Sequence, residues 1–165
     1  MGISIGPKPI VTDNLIFYAD AVNPESMSPG GSTWTDIVGG VEGTINGATW
    51  NSSGYFDFDG SRKLEADGVM DPDDDGAGTD IWRYITYTRD ASNSNAAVAY
   101  MDGVSVDTGT ISSNQTQTAG SVGALDRGNE WVNGQIALFR MYKGIAFTPT
   151  QVLHNFNAQR GRFGV

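Results

Sequence analysis

Apolar and polar residues alternate along this chain in short bursts, and each burst predicts a strand. "GYFDFDGS" (54–61) alternates cleanly, with Phe56 and Phe58 on one side and Tyr55, Asp57 and Asp59 on the other. "LIFYAD" (15–20) is a compact apolar strand, and "TWTDIVGG" (33–40) a short strand closed by two glycines. "IWRYITYTRD" (81–90) is dense in β-branched and aromatic residues and is the strongest strand signal in the chain. "AAVAYMDGVSVDTGT" (96–110) predicts a hairpin, because Asp102-Gly103 suits a type I′ turn, which needs positive φ at both central residues. "NGQIALFRMY" (133–142) is apolar on both faces: Ile136 and Leu138 on one, Ala137, Phe139 and Met141 on the other. That pattern predicts a central strand covered on both sides.

Only the C-terminal stretch has helical spacing. In "TPTQVLHNFNAQRGRF", Thr148 is placed to be the N-cap, Pro149 the first helical residue, and Gln151 the third, which completes a capping box. Val152, Leu153 and Phe156 form one apolar stripe, and Gly161 is placed to stop the helix in the left-handed conformation. "NPESMSPGGS" (23–32) is a loop by its Pro, Gly and Ser content. Residues 1–12 read as an arm, with Pro7 and Pro9 flanking Lys8 and nothing periodic. There is no internal repeat and no domain boundary. The expectation is one domain over 13–165, an antiparallel β-sandwich with a single short helix.

Composition narrows the partners. The chain has 165 residues, 22 glycines, no cysteine and a net charge of −9. A surface this acidic repels phosphate backbones and anionic lipids, so neither nucleic acid nor a membrane surface is an expected partner. Disulfides and thiolate metal sites are excluded. The opening "MGISIGPKPIVTDN" lacks the basic-then-apolar order of a signal peptide, and no apolar run approaches a membrane span.

Four stretches, taken in order, resemble a known family. They are "LIFYADAVNPESMSPGGSTWTDIVGG", "GYFDFDG", "RYITYTRD" followed by "VAYMDGVSVDTGT", and "WVNGQIALFRMYKGIAFTPTQVLHNFNAQRGRFGV". In order and spacing they resemble the concanavalin A-like, laminin-G-like lectin domain. The nearest likeness is to the version in virion structural proteins of tailed, especially marine, bacteriophages. The resemblance implies a concanavalin A-like jelly roll and a non-catalytic virion protein on the particle surface, as capsid decoration or tail appendage. Its implied partners are other virion proteins and further copies of itself. Full-length members carry several more strands where this chain has only "SRKLEADGVMDPDDDGAGTDIW" (61–82), so a reduced sandwich is expected. The missing strands belong to the sugar-binding face of lectin relatives. A glycan-binding module for host envelope sugars therefore ranks below the virion reading, as its first alternative, with a remnant glycoside hydrolase as the second.

Candidate chemistry is sparse. "DPDDDGAGTD" (71–80) places Asp71, Asp73, Asp75 and Gly76 where an EF-hand loop has its first ligands and its turning glycine. The bidentate carboxylate is missing, because Trp82 occupies the twelfth position, so no calcium and no other cofactor is expected. Glucan hydrolases of the resembled fold carry Glu-x-Asp-x-x-Glu on one strand. Here Asp57 and Asp59 alternate without a glutamate, which reads as an outward polar face. His154, the only histidine, has no visible triad or metal partner. Trp34, Trp50, Tyr55 and Trp131 are candidates for stacking on pyranose rings, although tryptophan on a small sandwich more often packs core or rim. Arg160 and Arg162 are either a docking point for an acidic neighbour or the charge complement of a helix C-terminus.

Overall fold

A computed structural model describes residues 9–45, 47–59, 81–111, 124–125, 130–131 and 133–165. The described elements are antiparallel strands and one C-terminal helix. In order they are β1 (Leu15–Asp20), β2 (Thr33–Thr35), β3 (Glu42–Thr44), β4 (Ala48–Asn51), β5 (Tyr55–Asp59), β6 (Ile85–Asp90), β7 (Ala96–Met101), β8 (Val104–Thr110), β9 (Ala124–Leu125), β10 (Glu130–Trp131), β11 (Asn133–Ile136), β12 (Leu138–Tyr142) and α1 (Pro149–Phe163). The fold class is all-β with one short helix. The chain divides into two compact units. One comprises Met1–Asp13, Ala66–Gln115 and Gly144–Val165, the other Asn14–Glu65 and Thr116–Lys143.

The second unit holds a cluster of buried apolar residues. Alternation along β5 sends Phe56 inward, where it is fully buried beside Ala19, Ala21, Met27 and Trp34. Phe17, Trp50, Phe58, Ile136 and Phe139 pack around them. β5 pairs with β4 on one side and β11 on the other, while β1 pairs with β12. The expected single strand over 133–142 is thus two strands. Ala137, buried, lies between them, and its carbonyl accepts from Ala21 N at 2.9 Å. The stretch is apolar on both faces because its halves serve different partners, β5 and then β1.

In the first unit, β6, β7 and β8 form a meander. The type I′ turn stands as expected, with φ of 52° at Asp102 and 82° at Gly103. The strand expected from residue 81 begins only at Ile85. Trp82 and Tyr84 instead pack their rings on Phe163 and Phe156 of α1, at 5.0 and 6.0 Å. The capping box of α1 is complete, with Gln151 N donating to Thr148 Oγ1 and Thr148 N to Gln151 Oε1. The helix runs through Gly161, the expected stop, to Phe163. Gly164 is the left-handed cap, and its N–H donates to the Arg160 carbonyl. The ring contact of Phe163 with Trp82 accounts for the added turn.

Candidate functional site

Two of the edge strands, β1 in the second unit and β8 in the first, are treated differently by the fold. β1 has β12 on one side. On the other, Tyr18 N donates to Asp36 Oδ1 at 2.7 Å, Ile37 N donates to the Tyr18 carbonyl at 2.9 Å, and Asp20 N donates to Ser26 Oγ at 3.0 Å. The loop after β2, helped by Ser26 from the loop before it, thus takes the place of a neighbouring strand. The centre of the loop after β2 is Asp36, 1% exposed. Val38 N also donates to Oδ1 at 2.9 Å, and Gly39 N to Oδ2 at 2.7 Å. A Cβ at residue 39 would stand 3.0 Å from Oδ2, so glycine lets the carboxylate close on the backbone. Burial alone would raise the Asp36 pKa. The backbone N–H groups outweigh it and hold the carboxyl below its ordinary value.

Beside this anchor, Tyr18 OH donates to Asp20 Oδ2 at 2.9 Å, and the Arg140 guanidinium lies 4.5 Å from the Tyr18 ring centroid. Burial pushes the Tyr18 pKa up, while Arg140 opposes the shift. Asp20 Oδ1 accepts from Val22 N at 3.1 Å, so both its oxygens are engaged. The cluster's carboxylates hold backbone and neighbouring side chains in place.

β8 is the contrasting case. All seven of its residues are exposed, with Val104 at 65% and Val106 at 53%. Among the described residues it pairs only with β7. Its register shifts at Val106, and Asp107 turns its own carboxylate onto the next backbone amide, Thr108 N, at 2.7 Å. A bulge and an edge charge both blunt a strand against indiscriminate pairing. Ile85, Tyr87 and Ile111, also in the first unit, are exposed as well. The start of β8 is fixed by α1. A Cβ at Gly103 would stand 2.9 Å from Leu153 Cδ1 and 3.3 Å from Leu153 Cα, so the turn and helix are in direct contact.

The sequence candidates are dispersed. Trp34, 9% exposed, packs on Phe56 with ring centroids 4.9 Å apart, which removes it as a sugar platform. Trp50 packs against the same core and donates Nε1 to the Ala21 carbonyl at 2.9 Å. Tyr55 is half-buried on β5. Trp131 lies on β10, its side chain outside the described residues. Asp71, Asp73 and Asp75 lie outside the described residues too, among which no cluster of three metal-ligating side chains occurs. Asp57 accepts from Gln135 Nε2 at 2.8 Å. His154 has a partner that its sequence neighbours do not suggest: its Nε2 lies 2.8 Å from the Pro9 carbonyl. Next to it the buried Asn155 accepts from Val11 N at 2.8 Å, so residues 9–11 are tied to α1. Arg160 and Arg162 lie over the rings of Phe156 and Phe163, at 5.8 and 4.9 Å.

Sequence reasoning passed over Asp36, Asn155 and Asp107. The first two act on backbone 18 and 144 residues away, which no local pattern shows. Asp107, a lone charge between exposed valine and threonine on a strand beside a turn, is a readable edge signal. Comparison of the chain with protein-family models, curated proteins and solved structures gives no match.

Proposed function

We propose that this chain is a non-catalytic structural protein of a tailed-phage particle, displayed on the particle surface as a capsid decoration or a tail-appendage component. The sandwich is read as a reduced concanavalin A-like jelly roll, and its partners as other virion proteins. The observation that carries the reading is the seven-residue exposed edge of β8 with its exposed valines, a surface suited to work by contact. The four-block sequence resemblance supplies the setting. Asp36 and Asp20 are committed to holding the backbone, which suits a scaffold.

The test is mass spectrometry of purified particles, with labelled antibody to place the chain on them. The chain is expected at a fixed stoichiometry on the particle exterior. Its absence from particles would overturn the reading. Saturable, sugar-competable signal on a glycan array would favour an adhesion module, and β-glucan cleavage abolished by Asp57→Asn would favour a hydrolase.

A further inference from the structure

We infer that the outer edge of β8 receives residues 1–8 of a second copy of this chain, with Lys8 drawing Asp107 away from Thr108 N and Ile3 and Ile5 lying beside the exposed valines. The receiving edge offers seven exposed residues, Val104 and Val106 uncovered, and one amide occupied by an exposed carboxylate. An edge amide capped by its own neighbour is closed to most strands. A strand that brings a cation opens it, because the carboxylate gains an ion pair and Thr108 N–H is released to an incoming carbonyl.

Direct β8-to-β8 pairing is a poorer solution, since the central register sets Asp107 against Asp107. The stretch before Pro9 has the required chemistry. "MGISIGPK" carries apolar residues two apart at Ile3 and Ile5, a cation at Lys8, and no acid, in a chain of net charge −9. Its length also fits. Eight extended residues reach about 26–29 Å at most, and β8 spans about 23 Å.

The root of the stretch lies beside the receiving edge. Pro9 is held by His154, the neighbour of Leu153, and Leu153 touches Gly103 where β8 begins. Root and edge therefore share one corner of the molecule, so two copies can exchange stretches about a single two-fold axis and close as a dimer. Proline fixes its own φ and biases the residue before it away from helical backbone, so the sequence Gly6-Pro7-Lys8-Pro9 disfavours a tight turn that would fold the stretch back onto its own molecule's edge.

The inference concerns the pure protein in solution and does not depend on the particle reading. Sedimentation equilibrium and light scattering of the full chain at low salt, over a range of concentrations, test it. A dimer that weakens as salt rises is expected. Lys8→Glu and Asp107→Lys should each lose the dimer, because each sets like charges together at both contacts. An equimolar mixture of the two variants should regain it, since both contacts in the mixed pair are then of opposite sign. The double variant should dimerise alone. A wild-type chain that stays monomeric at every concentration overturns the inference. So does a dimer indifferent to either substitution, or a mixture that stays monomeric.

Discussion

Asp36 and Asp107 both occupy a strand-edge amide, but from opposite distances. Asp36 reaches Tyr18 N from 18 residues away, is buried, and holds two further backbone N–H groups. Asp107 reaches only the adjacent residue, in solvent. A long-range buried carboxylate cannot leave without exposing several unsatisfied donors, so the β1 edge is closed for the life of the fold. A local exposed cap exchanges readily with water and with an incoming charge. The same residue type thus seals one edge permanently and guards the other reversibly. The difference lies in burial and in the number of amides held.

The largest effect should come from the sealed edge. Asp36→Ala removes the acceptor of three backbone N–H groups and should cost about 4 kcal/mol, read from the midpoint of a urea melt at unchanged slope. Asp36→Asn should cost less, because an amide oxygen still serves Tyr18 N and Val38 N while the amide nitrogen faces Gly39 N–H. An Asp36→Ala chain as stable as the parent would break the contrast outright.

Next in size is the helix that fixes the start of β8. Phe156 is buried against Tyr84 and the Gly103 turn, so Phe156→Ala should cost about 3 kcal/mol. If the loss is small, α1 does not position the edge, and the exposure of Val104 and Val106 has another origin.

Acid sharpens the comparison further. The folded Asp36 pKa is depressed, so its contribution is present above the unfolded value of about 3.9 and is lost as pH falls through the folded value. Melting temperatures of the parent and of Asp36→Asn should therefore converge as pH drops below about 4. A gap that holds constant into that range would mean that the carboxylate's charge is irrelevant to the seal.

Much of the frame was legible in the sequence because its signals are local. The Asp102-Gly103 turn, the alternation of β5 and the capping box of α1 each depend on residues within a few positions. The break at Ala137 was not legible. No glycine or proline marks it, and a stretch that changes partners is apolar on both faces just as a central strand is. The helix end was missed for a related reason: Gly161 and Gly164 are equal as local stops, and the choice rests on Phe163 meeting Trp82, 81 positions away. Trp34 could not be assigned to core or surface until β5 brought Phe56 beneath it. Of the two edges, the guarded one was readable in principle, since Asp107 acts on its neighbour. The sealed one was not, since nothing near Asp36 in sequence points to Tyr18.

The smallest effect is expected at the guarded edge, and it separates the two aspartates most directly. Asp107→Ala removes one exposed hydrogen bond and a surface charge, and should change stability by no more than about 0.5 kcal/mol. Its signature should instead be local. Exchange of the Thr108 amide with solvent deuterium should speed up, because its only described acceptor is gone, while Tyr18 keeps the protection of the sealed edge. The measurement is amide exchange followed by NMR under native conditions, on the parent and the variant, at a concentration low enough to suppress association. If Thr108 in the parent already exchanges as fast as an open loop, the Asp107 contact is too short-lived to guard anything. If Thr108 is instead as slow as Tyr18, and remains so in Asp107→Ala, a further strand covers β8, and both edges are sealed.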